Sequence, residues 1–267
     1  MKRLFLIGIL LLVIIPPVHA ADWIIDDSFI GGGYYTNQYP QNKVKKYYQK
    51  GGDVISAKKN VNIFDVDEMT VNIDNSGNVT VSIATDYSEA KGLGTEYGDL
   101  FISTDGWKPY GDSPYMEDTI NKGETWEYVF DTSAFVSGTN QNPIYDTATG
   151  TFITSDDVHG GSSQPYHFRH DQEVLFAAGD PGDFSGTGAF YDDVDGILTY
   201  AFNLDDLGLS ADEAQNLGFR WTMTCATDII EGGVHWAPVP EPGTMLLLGM
   251  GLLGLGALGR KKQARSA

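Results

Sequence analysis

The chain has 267 residues, with 36 acidic against 17 basic side chains and a net charge of −19. A surface of that sign repels nucleic acid and anionic lipid alike, which excludes nucleic acid as a partner. Cys225 is the single cysteine, so no intramolecular disulfide can form.

In chain order, Lys2 and Arg3 precede an apolar run from Leu4 to Ile15, which Pro16 and Pro17 break before Val18-His19-Ala20. Charge, apolar stretch and small residues in that order predict a secretory signal peptide over 1–20, removed by signal peptidase to leave Ala21 first. The run falls short of the roughly 20 residues that a membrane-crossing helix needs. The segment 21–237 then reads as one extracellular β domain. Over 21–239 there are 11 basic and 35 acidic side chains, a net of −24, which suits a soluble extracellular protein and attracts divalent cations. The stretch Lys43–Lys59 holds six lysines, the one basic run of the body. It reads as a solvated edge or as a contact for an acidic polysaccharide.

Period-two alternation dominates the body. Met69, Val71 and Ile73 alternate with Thr70 and Asn72; Asp74-Asn75-Ser76-Gly77-Asn78 turns the chain, and Val79, Val81 and Ile83 alternate again. That pattern predicts a β-hairpin. Leu100–Ser103 and Val174–Ala177 read as short buried strands; Glu124–Asp131, 197–204 and 218–224 read as half-buried alternating ones. Ser210–Leu217 reads as a helix, since Ser210 and Glu213 have capping-box spacing. Long loops are expected at 30–60, 104–123, 137–172 and 179–196, and 137–172 is long enough to suggest a functional loop. Short strands, glycine-rich turns and 12% aromatics predict an all-β fold, an antiparallel sandwich or jelly roll in a single domain.

Several groups are candidate sites. Asp193 and Asp195 in YDDVDG match the end of a calcium-loop pattern, but Tyr191 holds its first position and no closing glutamate follows. Asp180 and Asp183 lie in the glycine-rich GDPGD loop, and Asp65, Asp67 and Glu68 form a third acidic group; each reads as a candidate Ca²⁺ site or as an ordinary acidic turn. His167 and His170 flank Arg169, with Asp156, Asp157 and His159 upstream. Residues three apart in an extended segment face opposite ways, so a zinc site there is disfavoured. Trp107 and Tyr110, in a polar glycine-rich loop, are candidate carbohydrate contacts, with packing over the sheet edge as the plainer reading. Trp126 and Cys225 read as core. No nucleophile elbow, HExxH or phosphate loop occurs. The chain is therefore read as no enzyme, with a secreted polysaccharide-active hydrolase as the alternative.

At the far end, Pro240, Glu241 and Pro242 precede an apolar segment, Thr244–Gly259, and then Arg260, Lys261, Lys262 and Arg265. Sixteen helical residues rise about 24 Å at 1.5 Å each, close to the core of a bilayer, and the cations would anchor the end on the cytoplasmic side. The segment is predicted as a transmembrane helix, 244–259, with a basic tail, 260–267. The three parts in this order resemble the PEP-CTERM sorting signal, here 238–267. The resemblance implies recognition of Pro240, Glu241 and Pro242 by an exosortase-type membrane protease, transient anchoring in the inner membrane, removal of the tail, and delivery to the cell surface or extracellular matrix. It implies a setting in Gram-negative bacteria that make extracellular polysaccharide. The run 96–107, EYGDLFISTDGW, is similar to segments of exported proteins that carry this signal. The body is then expected to be a structural or carbohydrate-binding module of exopolysaccharide or biofilm.

Overall fold

A computed structural model describes residues 21–28, 61–88, 94–160, 168–192, 195–210, 213–237 and 249–253. The chain divides into two units, Ala20–Ala237, and Met1–His19 with Pro238–Ala267. Among its described residues the larger unit contains twelve strands: β1 (Ala21–Asp26), β2 (Val66–Ile73), β3 (Asn78–Thr85), β4 (Leu100–Ser103), β5 (Tyr128–Phe130), β6 (Asn142–Asp146), β7 (Gly150–Thr154), β8 (Glu173–Ala178), β9 (Gly186–Asp192), β10 (Ile197–Asn203), β11 (Asn216–Thr222) and β12 (Ile229–His235). One short helix, α1 (Ser155–His159), lies between β7 and β8.

The predicted hairpin forms as β2 and β3. Met69 pairs with Ile83, Val71 with Val81 and Ile73 with Val79, and all six are buried. Its turn is fixed by Asp74, whose Oδ1 accepts from the amides of Ser76 at 2.8 Å and Asn78 at 3.0 Å. Burial, the largest single effect, raises the Asp74 carboxyl, but these donors together with Asn78 Nδ2, 2.8 Å from Oδ2, hold it below its ordinary value.

Ten strands join one antiparallel sheet in the order β1-β2-β3-β10-β9-β6-β5-β4-β11-β12. Its two edge strands come together: β1 packs against β12, with Ile25 over Gly232, where a Cβ would lie 2.6 Å from Ile25 Cγ2. The sheet is therefore nearly a barrel, though no hydrogen-bonded ladder joins β1 to β12 among the described residues. The all-β, antiparallel expectation holds. The ladders do not separate into the two facing sheets of the expected sandwich or jelly roll, because the strands curl into one continuous sheet.

Side chains fill the interior. Val81, Leu100, Phe130, Tyr200, Phe219 and Trp221 belong to one buried cluster, and Phe130 meets Tyr200 edge to face with centroids 5.1 Å apart. A separate ribbon, β7 with β8, has its own two-stranded ladder. Phe101, on the outward face of β4, packs there with Trp126, Phe152 and Phe176. This explains why all four residues of β4 are buried: Leu100 and Ile102 face the interior cluster and Phe101 the outer one.

Several sequence expectations are corrected. The segment 137–172 is no structureless loop, since it contains β6, β7 and α1. Pro143, a residue that argues against a central strand, is the middle residue of the β6–β9 ladder, opposite Thr187, and lies just beyond the β5–β6 ladder, where its carbonyl accepts from the Asp131 amide at 3.0 Å. Within 179–196 runs β9, disguised by two glycines. Gly188 is required by close approach: a Cβ there would stand 2.4 Å from Phe130 Cε2 and 2.7 Å from the Ala201 carbonyl. Of Glu124–Asp131 only Tyr128–Phe130 pairs as a strand. Ser210 and Glu213 do bond reciprocally, Ser210 Oγ to Glu213 Oε2 at 2.6 Å, but the turn is a single 3-10 turn, Glu213–Gln215, because β11 begins at Asn216. The loop 104–123 carries no strand, as expected. The loop at 30–60 and its lysines lie outside the described residues, as does the signal peptide.

In the smaller unit only 249–253 is described; it is helical, with Met250, Leu252 and Leu253 exposed. The rest of the predicted span 244–259 lies outside the described residues, among which no helix is long and apolar enough to cross a membrane.

Gly188→Ala is expected to cost about 1–3 kcal/mol, the usual penalty of overpacking a core. In a domain of this size, thermal melting should drop by several degrees; an unchanged melting temperature would show that β9 and β10 are not apposed as described.

Candidate functional site

Alternation along β11 sends Leu217, Phe219 and Trp221 inward, which leaves Arg220 on the outward face. There it stands opposite Glu231 of β12. Both are nonetheless buried, at 1% and 2% exposure. Arg220 Nη1 donates to Glu231 Oε2 at 2.7 Å, and Nη2 donates to Gln172 Oε1 at 2.6 Å. Glu173 Oε2 is 3.6 Å from Nη2. The loop 104–123 closes the cluster from above: Trp107 Nε1 donates to Glu231 Oε1 at 2.8 Å, and the Tyr110 amide donates to Asp118 Oδ2 at 2.6 Å. Gln172 Nε2 donates to the Asp118 carbonyl at 3.1 Å. One guanidinium thus organises three buried carboxyls, from the loop, β8 and β12.

Burial dominates the electrostatics. It pushes the Glu231 carboxyl up to about 8, although Arg220 and Trp107 favour its charged form. Burial likewise pushes Asp118 up to about 6, against the Tyr110 amide and Arg220. Glu124, half-buried in the same loop, is raised by burial, its bonds to the Lys108 and Thr125 amides notwithstanding. Burial opposes the charge on Arg220, but Glu173, Glu231 and Asp118 outweigh it. A fourth acid, Asp99, lies at the head of β4 and accepts from the amides of Thr132 at 2.9 Å and Phe176 at 2.8 Å. Burial, with the nearby Asp131, raises it well above the ordinary carboxylate range.

The structure gives the two aromatic candidates different surroundings. Trp107 is half-buried, meets Tyr115 edge to face at 5.3 Å, and commits its indole N–H to Glu231. Tyr110 is 45% exposed, with Lys122 Nζ 5.4 Å from the centre of its ring. The acidic candidates do not converge. Asp193 lies outside the described residues, Asp195 is exposed, and Asp180 and Asp183 stand in an exposed turn in which Asp180 Oδ1 accepts from the Gly182 amide at 2.9 Å. Asp67 is exposed and Glu68 accepts from Thr70 Oγ1 at 3.2 Å. Asp65 instead meets Asp27 and Asp228, with one carboxylate oxygen from each within 4.8 Å of the others. Oxygen donors so spaced suit a hard cation such as Ca²⁺. Asp228 also accepts from the Val66 amide at 2.8 Å and the Ile229 amide at 3.0 Å, so it tethers β2 to β12.

The histidines are structural in their surroundings. His167 lies outside the described residues; His170 Nδ1 bonds Asp156, and His159 Nε2 is 3.3 Å from Thr224 Oγ1. Burial lowers the His159 pKa. Phe168 lies between the two rings, its centroid 5.7 Å from His159 and 4.4 Å from His170. Asp157 caps α1 through Thr154. Cys225 is buried and bonds Thr227 Oγ1 at 2.8 Å, and burial raises its thiol.

Sequence reasoning did not find the Arg220 cluster. Its signal was the alternation itself: an arginine at a polar position of 218–224, and a glutamate in the apolar run at 229–231.

Acids protonated in the fold bind more protons there than in the unfolded chain, whose Asp and Glu titrate near 3.9 and 4.3. Stability contributed by Asp118 and Glu231 is therefore present at low pH and lost as pH rises, from about 4 through about 6 and about 8 respectively. The secreted protein should melt at a higher temperature at pH 5 than at pH 8 in matched salt, and Asp118→Asn should flatten the lower part of that slope. A melting temperature that climbs over this range would mean that the network is ionised in the fold.

With the geometry described, two comparisons, with curated proteins and with solved structures, return no match. A family model does match: the PEP-CTERM protein-sorting motif, at residues 238–262. It takes in Pro240, Glu241, Pro242, Arg260, Lys261 and Lys262, which lie outside the described residues. The motif implies export, processing by an exosortase, and passage through the membrane to the cell surface. This chain therefore carries a PEP-CTERM protein-sorting motif at residues 238–262.

Proposed function

We propose that the body is a non-catalytic module that holds neutral or acidic polysaccharide outside the cell, after the tail has been removed. The sorting motif at 238–262 carries the reading, since it implies delivery to the cell surface, where a polysaccharide-binding module would meet its ligand. Two features support a binding role. Tyr110 offers an exposed ring beside a loop that buried hydrogen bonds hold in place, and a rigid scaffold lowers the entropy lost on binding. The titratable groups of the Arg220 cluster are engaged with one another. Ca²⁺ at Asp27, Asp65 and Asp228 remains compatible with this role but is not required by it.

A second reading, a secreted polysaccharide-active hydrolase, draws on one observation. Asp118 and Glu124, in the loop that carries Tyr110, both have raised proton affinity, and glycoside hydrolysis uses a carboxyl held protonated near neutrality.

Purified extracellular protein tested against a panel of polysaccharides separates the two. Retention without release of reducing sugar is expected, with retention weakened by Tyr110→Ala. Sugar release abolished by Asp118→Asn or Glu124→Gln would replace the module by the enzyme. Processing has its own test. Mass spectrometry of the extracellular fraction should find molecules that end near Pro240–Pro242, and glutamine at 260, 261 and 262 should leave the precursor in the membrane fraction. Extracellular protein that still carries residues 245–267 would contradict removal of the tail.

A further inference from the structure

At one end of the sheet, the β2–β3 turn, the segment after β10 and the end of β12 surround a pocket of about 160 Å³. Its lining includes Asn75, Ser76, Leu204, Asp205, Leu209 and Trp236. The polar residues of this corner fall into two sets. Asp74, Asn78 and Asn203 build it: Asp74 holds Ser76 and Asn78. Asn203 Nδ2 donates to the Ser76 carbonyl at 3.1 Å and to Asn78 Oδ1 at 2.8 Å, and its Oδ1 accepts from the Asp205 amide at 2.8 Å. The side chains of Asn75, Ser76 and Asp205 are exposed and take no part in these bonds. They are the three that line the cavity.

The other wall is apolar and fixed. Trp236 and Leu204, at 5% and 2% exposure, belong to the interior cluster, and Leu209 packs against it. The Trp236 amide itself donates to the Gln215 carbonyl at 2.8 Å. The pocket is well below the roughly 300–1,000 Å³ of sites that enclose drug-sized ligands. Among the described residues no lysine or arginine lines it, so none of them offers an anionic ligand a counter-charge beside Asp205. A carboxylate, an amide and a hydroxyl facing an apolar wall fit a small neutral ring with hydroxyls round its edge and C–H bonds on its face.

We propose that this pocket binds one neutral sugar ring, a terminal or branch residue of a polysaccharide. Asp205 accepts from ring hydroxyls, Asn75 and Ser76 donate and accept alongside it, and the C–H face lies against Leu209 and Trp236. The inference rests on the binding-module reading for its setting and adds to it a location and a ligand class.

The test uses the secreted protein and four probes, the methyl glycosides of glucose, galactose, mannose and N-acetylglucosamine, with saturation-transfer NMR. At least one probe should receive saturation. Asp205→Ala should weaken it roughly tenfold or more, as for a lost hydrogen bond to a charged group, without changing the melting temperature. No transfer to any probe at millimolar concentration overturns the proposal, as does transfer that survives both Asp205→Ala and Asn75→Ala. Polysaccharide retention measured in parallel keeps the two readings apart. Retention without glycoside binding removes the pocket and spares the module, whereas glycoside binding without retention of any polymer does the reverse.

Discussion

Burying a guanidinium on the outward face of a sheet obliges that side of the molecule to cover it. Arg220 could reach water if β11 were bare, and an ion so placed in an apolar setting without partners would cost several kcal/mol. Glu231 accepts from it across the ladder, Gln172 and Glu173 arrive from the β8 side, and Trp107 seals the far oxygen of Glu231. The position of the loop 104–123, the start of β8 and the edge strand β12 all follow from satisfying that one side chain. Removing a single partner leaves the others buried and unmatched, so the network acts as a unit rather than as a sum of pairs.

The same logic separates scaffold from surface. Trp107 has the composition of a ligand platform and the hydrogen bond of a structural residue, while three residues along the chain Tyr110 leaves its ring in solvent. In the β2–β3 corner, likewise, Asp74 and Asn203 define the backbone and the side chains between and beside them are left to face outward. In both places rigidity comes from neighbours that make no approach to a ligand.

Period two was the legible part of this sequence. It located the β2–β3 hairpin, β4, β8, β10 and β11, because each of them carries apolar side chains on at least one face. It failed where the side chain on the covered face is absent or atypical. Gly186 and Gly188 hide β9 because the aromatic ring that covers Gly188 comes from Phe130, far away in the chain. Pro143 hides β6 since nothing local announces that a proline in it falls just outside the β5–β6 ladder. Sites were harder still. The trio of Asp27, Asp65 and Asp228 draws on three remote segments, and no spacing within any one of them signals it. The sorting motif, by contrast, lies in one contiguous stretch, 238–262, which is why the sequence alone disclosed it.

The strand order has a kinetic consequence. β3 pairs with β10 and β4 with β11, so partners made early wait for partners more than a hundred residues downstream. β1, the first strand, meets at its seam β12, the last. A topology so dominated by distant pairings folds slowly, because loop closure must precede most of the contacts that reward it. Local elements such as the β2–β3 hairpin can form at once, but the curled sheet cannot close until nearly the whole body is present in one compartment. For a chain that leaves the cell, slow closure keeps the polypeptide threadable while it crosses the membrane and postpones its final shape to the far side.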